Sequence, residues 1–385
     1  MSDSTTSDME TAGDRGPKAS RDQEDAAALP ELSVEQEKRK QGLFQQPVKA
    51  CDLSQIQNIA DLVDAYSHMS IQARNLGGCL KVYEAMLADP DRPTILLGLA
   101  GPLIAGGLRR VICDMMEHRL VDVVVSTGAI LYQDFFQARG HQHWKGSSDA
   151  DDAVLRELCI DRIYDTYVDE KAFWETDLWI SRFADTLEKG KHSSRSFLNQ
   201  LAAHARQDEH SILGAARRNG VPIFCPALND SSIGIGLTEH YHRCRVNGTE
   251  PITIDSIRDN YELTQIVVKS RKTAAVYIAG GVPKNYINDS MVMAYIFGVE
   301  RAHSYAIQLT TDVPHWGGLS GSTLDEAKSW GKIEAQATSQ MAFVEPTVSL
   351  PLLVGAILQK DLTANRPRLR FDWEQDVLKK LTVDA

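Results

Sequence analysis

A lysine with the surroundings of a nucleophile stands in the stretch Ser329-Trp330-Gly331-Lys332-Ile333, shortly after the carboxylates Asp325 and Glu326. Lysine attacks carbon only as the neutral amine, so its pKa must be lowered by burial or by a nearby cation. The indole of Trp330 can exclude water, and its ring face attracts cationic amines. This pattern is typical of an amine nucleophile that forms an imine, with Lys332 as the candidate.

The same residues also fit an ordinary structural role. Thr323 and Glu326 have the spacing of a capping box, in which the carboxylate returns to the start of a helix. Lys328 and Lys332 can be solvated lysines, and Trp330 can be an anchor in the core. Local sequence leaves both interpretations open.

The elements that would position these residues are short apolar segments that alternate with helical patterns. The segments span residues 94–99, 121–126, 222–225, 274–278, 304–309 and 341–345. This alternation predicts an α/β fold with a Rossmann-like, mostly parallel sheet and helices on both faces.

Ligands of such folds bind beyond the carboxyl ends of the strands. The residues expected to share that rim are Gly101, Thr127, Asp230, Gly280, Thr311 and Glu345. The first turn leads from a strand into a helix, as in nucleotide-binding units, but its glycines do not match G-x-G-x-x-G. A tight turn without a ligand explains that segment equally well.

Composition excludes several classes of protein. The chain has 385 residues, a net charge of -11 and an apolar fraction of 43%. The apolar fraction is that of a globular protein, and the acidic charge argues against general nucleic-acid binding. No apolar run reaches the ~18 residues of a membrane span, and the N-terminus shows no signal sequence. We expect a cytoplasmic protein that binds neither nucleic acid nor membrane.

No metal site is expected. The six cysteines include no C-x-x-C pair and indicate neither a disulfide framework nor a zinc site. His141 and His143 lack a partner carboxylate at metal-ligand spacing.

The N-terminal segment differs from the rest of the chain. The first 40 residues contain no aromatic residue and only Leu29, Leu32 and Val34 as large aliphatic residues. Such a segment cannot bury enough apolar surface to offset its ordering entropy. We therefore predict a disordered acidic tail over residues 1–45 and a single large domain over residues 46–385.

The block Asp325-Glu326-Ala327-Lys328-Ser329-Trp330-Gly331-Lys332-Ile333 resembles the deoxyhypusine synthases and their bacterial deoxyhypusine synthase-like relatives. Residues 226–234, the turn 280–284 and residues 349–354 are also similar to that family. The order and spacing of these blocks agree from about residue 65 to residue 360. The resemblance favours Lys332 as a nucleophile over Lys332 as a solvated lysine.

The resemblance implies chemistry with bound NAD. Spermidine is oxidised, its aminobutyl group moves onto Lys332 as an imine and then passes to an acceptor amine, and the new imine is reduced. Glu326 would hold a terminal ammonium, and Trp330 would pack along the polyamine. The positions that match cofactor-contacting segments are Gly101, Pro102, Leu103, Ile104, Thr127, Gly128, Asp230, Thr311 and Glu345. The resemblance also implies a homotetramer with active sites at a subunit interface.

The chain departs from the eukaryotic-type members at several pocket positions. Asn285 stands where those enzymes have a histidine, and Gln133, Ile235 and Leu319 stand at acidic positions. Each lost carboxylate weakens the hold on a polycation and removes a proton acceptor. In the loop 312–321, which resembles the bacterial branch, His315 or Trp316 can take over part of that role or simply pack within the loop.

These changes favour a small diamine such as putrescine as the acceptor, a homospermidine synthase-like activity. The alternative within the same chemistry is a true deoxyhypusine synthase, which modifies a lysine of a translation factor. A different class is an NAD-dependent amine dehydrogenase, which forms net NADH and does not require Lys332. A further alternative is a non-catalytic protein that binds polyamine or NAD.

Overall fold

The computed structural model describes residues 30–205 and 207–384. The chain divides into two compact units, Met1–Pro47 and Val48–Ala385. In the first unit, helix α1 (Val34–Leu43) begins with a reciprocal capping box between Ser33 and Gln36, and none of its residues is buried. Helix α1 lies within the predicted tail over residues 1–45, and its capping box satisfies the helix start without a core. Residues 1–29 of that prediction lie outside the described residues.

The second unit is built around a six-stranded sheet. The strands are β1 (Thr94–Leu99), β2 (Val123–Ser126), β3 (Ile223–Phe224), β4 (Thr273–Ile278), β5 (His303–Leu309) and β6 (Ile333–Ala342). Their order is β6-β5-β4-β1-β2-β3, and every neighbouring pair is parallel. This arrangement confirms the predicted parallel α/β fold.

Strand β6 begins earlier than predicted, at Ile333 instead of residue 341. It lies at an edge of the sheet, where polar and exposed side chains are tolerated, and this hides it from a search for apolar strands. The register of β6 against β5 changes at the start of the pair. His303 pairs with Ile333, whereas Tyr305 pairs with Thr338, so β6 contains extra residues at this point. Lys332 therefore stands immediately before a strand.

Helices cover both faces of the sheet. Successive side chains of a strand point to opposite faces, and in β1 Ile95 and Leu97 belong to one core cluster while Leu96 belongs to the other. The helices of the second unit are α2 (Ile59–Tyr66), α3 (Ile71–Ala88), α4 (Arg109–Glu117), α5 (Gly128–Ala138), α6 (Asp152–Glu157), α7 (Glu170–Asp185), α8 (Ser194–Leu201), α9 (Ile212–Asn219), α10 (Ser232–Asn247), α11 (Ser256–Lys269), α12 (Gly281–Ile296), α13 (Leu324–Ser329) and α14 (Pro346–Gln359). Residues of α11, α12 and α13 pack on the Leu96 side.

Smaller strands lie outside this sheet. Trp144–Lys145, Ile160–Ile163 and Thr166–Asp169 form an antiparallel sheet, Gly190–His192 pairs with Ile252–Ile254, and Leu369–Glu374 pairs with Val377–Val383 in a C-terminal hairpin. Within the described part of the chain, no helix is long and apolar enough to cross a membrane.

A buried carboxylate ties the C-terminal segment to the sheet. Asp122 accepts two hydrogen bonds from Arg92, at 2.6 and 2.7 Å, and contacts Arg366 at 3.3 Å. It also accepts a hydrogen bond from the backbone N–H of Ile95 at 2.9 Å. Burial opposes ionisation of Asp122, but Arg366 and Arg92 outweigh burial and hold the pKa of its carboxyl below the usual value.

We expect Asp122→Asn to lower the free energy of unfolding by about 3 kcal/mol, because it leaves two buried guanidinium groups without their counter-charge. Urea denaturation at pH 7 measures this loss. The matched control is Asp325→Asn, since Asp325 is 82% exposed in its pair with Lys328 and should change stability by less than about 0.5 kcal/mol. Equal effects of the two substitutions would contradict the assigned role of Asp122.

Candidate active site

Lys332 occupies the turn between α13 and β6. Helix α13 ends at Ser329, and Gly331 then adopts the left-handed conformation with a φ of +67°. The N–H of Lys332 donates to the carbonyl of Ala327 at 3.1 Å and closes the turn. A side chain at positive φ is strained, so this position favours glycine. Gly331 therefore sets the direction in which Lys332 leaves the helix.

The amine of Lys332 is held by side chains of α12. Its Nζ lies 2.9 Å from Oδ1 of Asp289, and the side chain is 14% exposed. Nζ also donates to Oδ1 of Asn285 at 3.3 Å and lies 5.4 Å from the ring centroid of Trp330. The structure thus brings together Lys332, Asn285 and Trp330, as predicted, and the solvated-lysine interpretation does not describe Lys332.

Asp289 is a site residue that sequence reasoning missed. It lies four residues after Asn285 in a helical pattern, a spacing that places two side chains on one face of a helix. Asn285 Nδ2 donates to Asp289 Oδ2 at 2.8 Å. The spacing from Asn285 was the signal available in the sequence.

Trp330 is a surface residue and not a core anchor, because 66% of it is exposed. Together with Tyr295 it lines a groove of about 730 Å³ beside the amino ends of β4, β5 and β6. Gly331 and Ile333, the neighbours of Lys332 in the chain, also line this groove. The groove is therefore lined by the backbone neighbours of Lys332, while Lys332 itself, Asn285 and Asp289 are not part of its lining.

The other predicted substrate residues are exposed. Glu326 lies in the first turn of α13, where its N–H donates to the hydroxyl of Thr323 at 3.0 Å, one half of the predicted capping box. His315 and Trp316 lie on the exposed helical turn Pro314–Trp316, with their ring centroids 4.9 Å apart. Their geometry fits packing within the loop.

A second lysine, Lys284, is buried behind this cluster with 1% of its surface exposed. Its Nζ donates to Oε1 of Gln308 at 2.9 Å and to the carbonyl and hydroxyl of Ser322 at 2.6 and 3.0 Å. Gln308 in turn donates to the carbonyl of Ser320 at 2.7 Å. Burial lowers the pKa of Lys284 to about 8, while Glu326 and Asp312 act in the opposite direction. Lys284 therefore fastens α12 and β5 to the loop 317–322.

The loop 317–322 approaches the Gly280-Gly281 turn so closely that no side chain fits at Gly280. A Cβ at Gly280 would lie 2.6 Å from Cα of Ser320, a separation that real side chains do not adopt. The N–H of Gly281 donates to the hydroxyl of Ser320 at 3.0 Å. The loop thus packs directly against the start of α12.

The predicted cofactor residues follow the carboxyl ends of the strands, as expected for a parallel sheet. They are Gly101, Pro102, Leu103, Ile104, Thr127, Gly128, Asp230, Thr311 and Glu345. Leu103 and Ile104 are each only 2% exposed, so their side chains belong to the core. Glu345 caps α14 by accepting a hydrogen bond from the N–H of Thr347 at 2.8 Å.

Two features of this rim fit a polar ligand. Helix α5 starts after Thr127 without a side-chain cap, and such free N–H groups can bind phosphate. Oε1 of Gln133 is buried and has no hydrogen-bond partner among the described residues. Gln133 lines a cavity of about 380 Å³ together with Asp230 and Ile235. A bound group with a donor would satisfy the orphaned oxygen.

This cavity and Lys332 belong to opposite edges of the sheet. Gln133 and Asp230 follow β2 and β3, whereas Lys332 precedes β6, and β3 and β6 are the two edge strands. Five inter-strand steps of ~4.8 Å separate these edges by ~24 Å. Within one chain, a single small polyamine cannot contact both.

One cluster with potential metal ligands occurs in the described ranges. The ligand atoms of Asp185, His240 and Cys244 lie within 4.8 Å of one another. However, Nδ1 of His240 contacts Asp185 at 2.9 Å, and Nε2 accepts the N–H of Ile252 at 3.1 Å. Both ring nitrogens therefore already have hydrogen-bond partners, so this cluster is best explained as a structural network.

Comparison with known proteins identifies a common family. The family model for deoxyhypusine synthase matches residues 61–357. The "Deoxyhypusine synthase-like protein" of Chlorobaculum tepidum is 42% identical over 344 residues, which cover 88% of this chain and 97% of that protein. The "Probable deoxyhypusine synthase 2" of Methanosarcina mazei is 42% identical over 321 residues, which cover 82% of this chain and 91% of that protein.

The fold has a counterpart among solved structures. The crystal structure of a "putative deoxyhypusine synthase" from Entamoeba histolytica superimposes with a TM-score of 0.56 at 18% identity. The match covers 80% of this chain and 96% of that chain. At this identity the likeness concerns the fold alone.

The depressed pKa of Lys284 predicts a pH dependence of stability. Its pKa is about 8 in the folded protein against 10.5 ordinarily, so between these values the unfolded chain binds a proton that the folded protein lacks. The stability of the wild type should therefore rise relative to Lys284→Met, on the order of 2 kcal/mol, as pH increases from 7 to 10. Thermal melts of both proteins across this range measure the difference.

The control for that experiment is Lys191→Met, because the Lys191 side chain is 75% exposed. Its stability difference from the wild type should stay constant with pH. Parallel pH profiles for the wild type and Lys284→Met would refute the assignment of a desolvated ammonium at position 284.

Proposed function

Because the chain belongs to the deoxyhypusine synthase family, we propose that it is an NAD-dependent transferase that moves an aminobutyl group from spermidine, through an imine on Lys332, to an acceptor amine. The observation that carries this proposal is the position of the Lys332 amine, which is held by Asn285 and Asp289 next to the exposed ring of Trp330. A side chain fixed in this way presents its nitrogen in one direction, which favours attack on a bound carbon.

The proposed roles of the neighbouring residues follow from their chemistry. Trp330 packs against the methylene groups and ammonium of the polyamine, since its ring face attracts cations. Glu326 holds a terminal ammonium of the substrate, and Asn285 orients the nitrogen of Lys332.

The cofactor in this proposal is NAD, which when bound accepts a hydride from the amine donor and returns it at the end of the cycle. The residues that would hold it are the rim residues Gly101, Pro102, Leu103, Ile104, Thr127, Gly128, Asp230, Thr311 and Glu345. Leu103 and Ile104 would contribute through the backbone, because their side chains are buried. The free N-terminus of α5 would contact phosphate.

We also propose that each active site combines two subunits of a homotetramer. Lys332 and the Gln133–Asp230 cavity lie at opposite edges of the sheet. A symmetric dimer can bring the cavity of one chain against the lysine of its partner, and it then forms two equivalent sites. In such a dimer each site is complete, whereas a single chain holds its lysine and its cavity too far apart to form one.

The proposed acceptor is a small diamine such as putrescine, because carboxylates are absent at Gln133, Ile235 and Leu319. Modification of a lysine in a translation factor is the alternative within the same chemistry. An amine dehydrogenase or a protein that only binds polyamine or NAD would leave no covalent group on Lys332. Incubation with NAD and spermidine, with putrescine as acceptor, separates a transferase that uses a small diamine from these two other classes.

Incubation with NAD and spermidine, followed by borohydride reduction and intact mass measurement, should add one aminobutyl group to the wild type. Lys332→Ala should carry none, whereas Lys328→Ala should label normally. Putrescine added before the borohydride should remove the aminobutyl group from Lys332 and yield homospermidine. NADH that accumulates without any adduct would identify a dehydrogenase, and NAD binding with neither product would reject spermidine as donor.

The interfacial site predicts complementation between two inactive variants. Lys332→Ala and Asp230→Ala should each be inactive alone, but a heterodimer retains one intact site. Random pairing of equal amounts should recover about one quarter of wild-type activity. Assay of the whole co-expressed population measures this recovery, and two affinity tags with tandem purification verify that mixed oligomers form. Mixed oligomers without activity would place the whole site within one chain.

A further inference from the structure

The side chains of Lys332, Asn285 and Asp289 form a closed set of contacts. Lys332 Nζ lies 2.9 Å from Asp289 Oδ1 and donates to Asn285 Oδ1 at 3.3 Å. Asn285 Nδ2 donates to Asp289 Oδ2 at 2.8 Å. An amide oxygen accepts and an amide nitrogen donates, so this geometry fixes which end of Asn285 faces the lysine. The other carboxylate oxygen of Asp289, Oδ1, is the one that contacts Lys332.

We propose that Asp289 is a catalytic residue that takes the proton which Lys332 must lose before it attacks carbon. This role rests on the proposed covalent function of Lys332. A carboxylate in hydrogen-bond contact with a nucleophilic nitrogen satisfies the geometric requirement for a general base. Asp289 also supplies a carboxylate next to Lys332, whereas Gln133, Ile235 and Leu319 supply none at their positions.

The transfer step balances without a further reactant. One proton moves from Lys332 Nζ to Asp289, and the free amine forms a C–N bond with the C=N carbon of the oxidised donor. The π electrons move to the donor nitrogen, which takes up the second proton of Lys332. Asp289 then returns its proton to that nitrogen, which leaves as a primary amine while the protonated imine forms on Lys332. No electrons are gained or lost in this step.

Other charged groups act on Lys284, the neighbour of Asn285 in α12. Lys284 adds a buried positive charge one position before Asn285 in α12. Glu326 of α13 and Asp312 of the loop after β5 add negative charges that act on Lys284. A variant at Asp289 alone keeps these groups in place and isolates its contribution.

The test uses reductive labelling of Lys332 by 4-aminobutanal and cyanoborohydride, which forms the same imine without NAD or spermidine. At pH 7.5 we expect Asp289→Asn to label about 10- to 100-fold more slowly than the wild type. Peptide mass spectrometry assigns the label to Lys332, and Asp325→Asn, an exposed carboxylate in a lysine pair, should label like the wild type.

Labelling of Asp289→Asn that equals or exceeds that of the wild type at pH 7.5 would overturn the proposal, because Asp289 would then only hold the ammonium in place. Asp289 is 43% exposed, so this variant should fold, and Asp289→Glu should restore part of the rate. Normal aldehyde labelling combined with no adduct from spermidine and NAD would reject the proposed donor and leave the role of Asp289 intact.

Discussion

The buried ammonium of Lys284 imposes the constraint on which the lysine cluster depends. A charge taken out of water must be surrounded by hydrogen-bond acceptors, and Lys284 finds them in Gln308 and Ser322. Gln308 belongs to β5 and Ser322 to the loop that follows it. The need to solvate the ammonium therefore holds α12, β5 and this loop together. The first turn of α12 is thereby fixed, and Asn285 and Asp289 project from the same helix toward Lys332. Lys332 is thus positioned by a second lysine.

The order of the strands imposes a second constraint. A parallel sheet collects its ligand-binding turns at one rim, yet the order β6-β5-β4-β1-β2-β3 places the lysine strand and the cavity strands at opposite edges. The fold therefore places Lys332 at one edge and the Gln133–Asp230 cavity at the other. Assembly with a second copy, as proposed above, is a physical way to bring these two edges together.

The fold was largely predictable because buried parallel strands are short apolar runs, and β1, β2, β4 and β5 were found on that basis. The early start of β6 was not predictable in this way, since its polar residues satisfy an edge position. Lys332, Trp330 and Asn285 were found through local motifs and resemblance. The contact between Asp289 and Lys332 and the contacts of Lys284 depend on how α12 packs against α13 and the loop. No local sequence pattern encodes that packing. The rim residues were placed correctly by topology, and their roles remain predictions.

The hydrogen bonds from Lys284 to the loop 317–322 also make distant parts of the molecule move together. If the loop lifts, a buried ammonium loses its acceptors, so the loop and the first turn of α12 must open as one cooperative unit. That helix starts at the carboxyl rim with Gly280 and Gly281 and carries Asp289 two turns later. A ligand that orders this end of α12 therefore also orders Asn285 and Asp289, the partners of Lys332.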